Sequence, residues 1–285
     1  MTPRTAHRRA RGRDLIDPNP AWSRDRLRLL AGGVVAAAVV VLVGLGLAIH
    51  QALDPTRTTA SAPDPTPVVR STAAGTAAVP GAGRDAAAAA PMPAVPGGRA
   101  AELPPAVAPA ALRLPQPTVL RGPGGVASGF PRTVEGALAQ LAAIDEFVLT
   151  TMQPATAVEV YQAWATEGGV PADAWVLTRH VTSFRSTLNR AGTGVTARVT
   201  VSPAAGLVKA TDGPDWLVGC VLLDVRATVK TEARLGFGHC ERLQWDAAAQ
   251  RWLIAPGTPP AQPGAVTPGT AAAAQVGWRP FTASA

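Results

Sequence analysis

Residues 29–49 read LLAGGVVAAAVVVLVGLGLAI, a run of twenty-one residues without a single charge. No other feature constrains the chain so strongly. As a helix at 1.5 Å rise per residue the run would be about 31 Å long, which matches a bilayer hydrocarbon core of roughly 30 Å. Eight Arg and three Asp precede it in residues 1–28, while the fifteen residues after His50 hold one Arg and two Asp. The positive-inside rule then predicts a cytoplasmic N-terminus and an extracytoplasmic remainder. A cleavable signal peptide would have an apolar region of about 7–15 residues and a small-x-small cleavage site. This run is longer than that, and the AIHQALD that closes it offers no such pair. The expectation is therefore an uncleaved single-pass signal anchor over 29–50, with a basic tail, 1–28, facing the anionic headgroups of the lipid bilayer.

Beyond the anchor the composition changes twice. Residues 51–129 contain no Phe, Trp or Tyr and are dominated by Ala, Pro, Thr and Gly. Such residues offer little buried area to offset the entropy of ordering, so this stretch is expected to be a disordered linker. Residues 130–256 hold ten of the thirteen aromatics and both cysteines, and form the expected folded domain. The rest, 257–285, resembles the linker in composition and is expected to be a disordered tail, with Trp278 and Phe281 as its two aromatic exceptions.

The net charge of +7 does not point to nucleic acid once it is located. Residues 1–28 carry +5 of it, whereas 130–256 hold eleven basic and twelve acidic residues. A near-neutral domain has no basic footprint for a phosphate backbone, so no nucleic-acid contact by the folded part is expected.

Within 130–256 the hydrophobic period is first 3.6 and then 2. Val134, Leu138, Leu141, Val148 and Met152 share one face of a first helix that Thr133 can cap. Ala157, Val160, Tyr161 and Trp164 mark a second helix after Pro154, and Leu177, Val181, Phe184 and Leu188 a third that Gly192 stops. Alternation then sets in with VTARVTV, followed by DWLVGCVLLDVRATV, EARLGFGHCERLQW and RWLIAPG. Three helices followed by four strands predict an α+β domain with the helices laid on one face of a curved four-stranded antiparallel sheet.

The two middle strands fix their own register. If the turn centres on Lys230, Leu217 faces Leu243, Val221 faces His239 and Leu223 faces Phe237 on the core side. Trp216 then faces Gln244 and Val218 faces Arg242 on the other side, where Cys220 falls opposite Cys240. Opposed residues in an antiparallel pair have Cα atoms about 4.5–5.5 Å apart, within the span of about 4.4–6.8 Å that a disulfide bridges. A one-residue slip would destroy the alternation. Outside a membrane the bond is chemically allowed, and two buried free thiols are the alternative.

Signs of catalysis are scarce. His180 and His239 are the only histidines of the domain, no C-x-x-C occurs, and no metal or cofactor is expected. The Gly-Phe-Gly at 236–238 lies inside a strand pattern rather than ahead of a helix, so it is no phosphate loop. Ser183, His180 and Asp224 could be imagined as a triad, but no nucleophile motif supports them. His180 and His239 are expected to point inward as core residues. The competing reading makes them one wall of a pocket, with Asp224 or Glu241 as neighbouring charges and Trp216 or Trp245 at its mouth.

Taken together, the basic tail, anchor, linker and helix-then-sheet domain resemble bitopic membrane proteins with a nuclear-transport-factor-like (cystatin-like) outer domain. The stretches AVEVYQAWA, WLVGCVLLDV, GFGHCERLQW and RWLIAPG carry the resemblance. It is similar to the inner-membrane scaffold proteins of conjugative type IV secretion systems, and such domains also occur in actinobacterial proteins associated with lipid importers. What the resemblance implies is a non-enzymatic envelope scaffold that contacts other subunits of a transfer complex; a homo-oligomer is compatible with it, and the oligomeric state is left open. A small-ligand-binding or enzymatic domain with a pocket near His180 and His239 is the alternative that the same fold allows.

Overall fold

A computed structural model describes residues 82–192, 196–229 and 231–283. The expected basic tail, the anchor and residues 51–81 of the linker lie outside them. No helix among the described residues is long and apolar enough to cross a membrane.

Three helices come where the 3.6-residue period puts them. Helix α2 runs Val134–Thr151, α3 Pro154–Trp164 and α4 Val176–Ala191, after a short helix α1 at Ala82–Ala89. The Thr133 hydroxyl accepts from the Gly136 amide and so satisfies one of the first-turn donors of α2. Met152 ends that helix in the left-handed region, and Pro154 opens the next at a position where its missing N–H costs nothing. The buried residues of α3 are Ala157, Val160, Tyr161 and Trp164, the stripe expected from spacing.

The strands are β1 Leu112–Leu114, β2 Arg198–Thr211, β3 Trp216–Thr228, β4 Glu232–Asp246, β5 Arg251–Ile254 and β6 Arg279–Ala283. They form one mixed sheet in the order β1-β6-β2-β3-β4-β5, curled into a half-barrel. The four strands β2 to β5 are antiparallel as expected, and β1 with β6 adds a parallel pair. Irregularities in the β2–β3 register fall between Pro203 and Ala205 and between Val208 and Ala210. Each bulge adds local bend and twist, which a long strand needs if the sheet is to wrap the helices. Between β3 and β4 the register is the expected one throughout, from Trp216 opposite Gln244 to Thr228 opposite Glu232.

The inner face packs on the helices. Leu217, Val221, Leu223 and Leu243 join Leu141, Ile144, Val148, Trp164, Trp175 and Trp252 in one core. With three tryptophans fully buried, this interior is filled by side chains.

The outer face corrects the expectation of disorder on both flanks. Residues 82–129 and 257–283 are folded parts of the domain, which therefore extends beyond 130–256. Ala88 of α1 packs on Trp216, Val218 and Ala255. Val266, Trp278 and the helix α5 (Ala271–Gln275), through Ala272 and Ala273, pack over Cys220, Leu222 and Cys240. The outer face of β3 is itself apolar, so Ala- and Pro-rich segments that could never form a core alone gain enough buried area by lying on it. Trp278 is 2% exposed, docked back onto its own domain. The Gly-x-Gly of β4 is the berth for this cover. A Cβ at Gly238 would come 2.5 Å from Pro263 Cγ, and one at Gly236 would collide with the Val266 carbonyl.

Candidate functional site

The strongest concentration of charge inside the fold is a buried row on the inner face of β4. Residues 239 and 241 both point inward, as alternation requires. The His239 Nδ1 lies 2.9 Å from Asp145 Oδ1 on α2, and its Nε2 3.3 Å from Glu241 Oε1. His239 and Asp145 are fully buried and Glu241 nearly so. The Trp175 indole N–H, at the start of α4, donates to Glu241 Oε1 at 2.7 Å. Tyr161 stacks on Trp175 with ring centroids 5.0 Å apart and closes the row on the α3 side.

Electrostatics fix the protonation. Burial alone would push the His239 imidazole down, but the carboxylates of Asp145 and Glu241 outweigh it and hold it up at about 10. This favours the imidazolium, whose Nδ1–H meets Asp145 while Nε2 lies 3.3 Å from Glu241 Oε1 without a hydrogen bond. Asp145 is raised by burial, against the pull of His239. Burial also raises the Tyr161 hydroxyl, with the charge of Glu241 adding to it. His180 behaves in the opposite way. It is pushed down to about 4 by burial and by the neighbouring charges of His239 and Arg179, and its ring meets Phe237 edge-on at 5.3 Å.

The sequence-derived site residues are divided by the sheet. His180, His239 and Trp245 belong to the helix side, and Trp245 packs edge-on against Trp252 at 5.6 Å. Cys220, Cys240 and Trp216 lie on the outer face. Cys220 and Cys240 are joined as a disulfide with Cα atoms 4.0 Å apart. Gln262 braces it by accepting from the Cys240 amide at 2.9 Å and donating to the Cys240 carbonyl at 3.0 Å. Trp216 lies beneath the Arg84 guanidinium, 5.1 Å from its ring centroid. Asp224 is not a neighbour of the histidines. It sits three residues along β3 from Val221, so alternation turns it to the outer face, where Arg234 bonds it at 2.7 Å. Any triad of Ser183, His180 and Asp224 is thereby ruled out.

Asp145 and Trp175 belong to the row although no sequence motif marks either as part of a site. A signal for Asp145 was present: it falls four residues after Leu141 and three before Val148, on the apolar stripe of α2, where a carboxylate must have a partner. Nothing local in the sequence says that the partner is His239.

Among the described residues no group of three or more His, Cys, Asp or Glu is arranged to hold a metal ion. Two open grooves, of about 590 and 520 Å³, run beside β1, the start of α2 and Arg279, and neither is lined by any residue of the buried row. The arrangement suits an internal clamp that ties α2 and α4 to β4. No family model, no curated protein and no solved structure matches the chain.

Proposed function

We propose that the chain is a single-pass membrane protein whose extracytoplasmic α+β domain is a non-enzymatic assembly module of an envelope complex. In this reading the domain is of the nuclear-transport-factor-like (cystatin-like) kind, and the complex is a conjugative, type IV secretion-like apparatus. The observation that carries the reading is the fully buried Cys220–Cys240 bond across the β3–β4 ladder. Such a bond is kept in oxidising compartments and is rare in the cytosol, which agrees with the uncharged run at 29–49 and the Arg-rich residues before it. An accessory role in a lipid importer shares the same topology and differs only in its partners. A ligand pocket beside His180 and His239 is the weaker reading, because His239 is sealed between Asp145 and Glu241.

Location is tested by labelling intact cells with a membrane-impermeant maleimide. Val107 is 83% exposed, so Val107→Cys offers a thiol on the domain, and Ser23→Cys offers one before the anchor. Labelling of the first alone is the expected result, and labelling of the second alone would refute the topology. Affinity capture of the detergent-solubilised chain then separates the roles. Transfer-machine subunits support conjugation and importer subunits support the alternative, while no envelope partner at all refutes an assembly module.

A further inference from the structure

Strand β6 sits in a slot. It lies between β1 and β2, yet it follows every other described element in sequence. Its hold on that slot is thin. Only Ala205↔Pro280 and Gly206↔Arg279 pair it with β2, and three residues pair it with β1. Pro280 brings no N–H to the ladder. The Arg279 side chain substitutes in part, its guanidinium donating to the Ala110 carbonyl at 2.8 Å and the Ala111 carbonyl at 3.3 Å. Phe281 supplies the apolar contact, over Gly206 and against Leu112. A Cβ at Gly206 would lie 2.5 Å from that ring, so the slot is shaped for an aromatic residue at this point.

The slot itself cannot stay empty. Without β6 the facing edges of β1 and β2 would present unpaired amides and carbonyls, together with the Leu112 side chain. A lightly held plug in a slot that demands a plug is the arrangement that permits exchange. A hinge is at hand in Gly277, φ +96°, so that Trp278 travels with β6 and gives up the bond from its amide to Ala273 O at 3.0 Å. The entrance is also open. The 590 Å³ groove lies alongside Gly277 and Arg279, bordered by Pro91–Pro93 and by Leu207–Ala210 of β2.

We propose that the β1–β2 slot is a strand-exchange site, in which β6 of one copy seats between β1 and β2 of a second copy. The incoming strand makes the same pairs and the same Phe281 contact as the resident one, so exchange changes little in contact energy. Its extent is governed by the local concentration of copies. Copies held in one membrane have a high local concentration, so this inference rests on the anchored-assembly reading for its setting, though not for its test.

The test uses two full-length single variants, Arg113→Cys and Thr282→Cys, with different tags. These exposed positions face each other in the β1–β6 register. The chains are co-expressed, solubilised in detergent and treated with a mild oxidant, which makes the readout independent of the compartment in which the domain resides. The native cysteines are buried in their own bond and do not compete. Exchange yields a reducible heterodimer carrying both tags, severalfold more abundant than from a mispaired control of Arg121→Cys with Thr282→Cys. The proposal is overturned if the mixture stays at the control level while the double variant Arg113→Cys/Thr282→Cys closes within single chains. Ala205→Cys with Pro280→Cys, on the other side of β6, repeats the measurement should the first pair fold poorly.

Discussion

The buried row makes stability depend on pH in a direction opposite to that of most ion-paired carboxylates. His239 has its pKa held up at about 10 in the folded protein, against 6.5 for the unperturbed side chain. The folded state therefore binds the proton more tightly than the unfolded chain does. Its stabilising contribution is complete below about pH 6.5 and is lost as pH rises through about 10. Inside that window the loss approaches about 1.4 kcal/mol per pH unit. Asp145 is raised as well, so it adds a loss in the same direction from its ordinary value of 3.8 upward. Replacing His239 by Gln removes the cation and leaves two buried carboxylates facing each other, at a cost of about 3–5 kcal/mol near pH 6.5. Asp145→Asn should cost less, about 1–3 kcal/mol, because His239 keeps Glu241 as a partner. Urea unfolding of the detergent-solubilised chain at pH 6.5, 8 and 9.5 measures all of this. The wild type should weaken as pH rises through the loss of the His239 proton, while His239→Gln keeps only the share that its buried carboxylates contribute, so the two curves converge. A variant within 1 kcal/mol of wild type at pH 6.5, or curves that stay parallel, would refute the reasoning.

Three further outcomes follow from the outer face. Cys220→Ser/Cys240→Ser opens a loop of sequence separation 20, which should lower stability by about 3 kcal/mol in the loop-entropy account, read as a shift of the urea midpoint. Gly238→Ala drives a methyl group into Pro263 and should loosen the crossing segment, seen as faster protease cleavage within 257–270 while the β3–β4 ladder stays intact. Trp278→Ala empties a 2%-exposed site and should cost about 3–5 kcal/mol, with the same proteolytic signature. Equal cleavage of wild type and both variants would mean that the cover contributes nothing to the fold.

Much of the helix side was legible because a single periodicity decided each element. The stripe of Val160, Tyr161 and Trp164 allows no other face, and the alternation from Trp216 to Trp245 allows one register, which also paired Cys220 with Cys240. The cover was illegible for a physical reason. Ala88, Ala272 and Ala273 bury little area each, and their order comes from the sheet they lie on rather than from any pattern of their own. A clue did exist in β3, where Val218, Cys220 and Leu222 make the outer face as apolar as the inner one. A strand that is apolar on both faces needs a second layer, and only the flanking segments could provide it. The Asp145–His239 contact was hidden for another reason: it joins residues 94 positions apart, and local spacing carries no information about which buried carboxylate meets which imidazole.

The filled outer layer also changes where a partner could bind. A sheet packed on helices usually leaves its second face open, but here helices cover one face and residues 82–111 and 256–283 cover much of the other. Contacts with other subunits must then come from the rim. On β2, Leu207–Ala210 lie beyond the two residues paired with β6 and border the larger groove. Lys209 is the extra residue of the bulge there, and its ammonium donates to the Ala88 carbonyl at 2.6 Å. A bulge and a lysine are the devices that keep an edge from pairing freely with any passing strand. Open addition of a foreign strand to this edge is thus opposed by the fold itself. The neighbouring slot, already shaped around a strand with Phe281 at its centre, is where a specific strand from a second copy would meet no such obstacle.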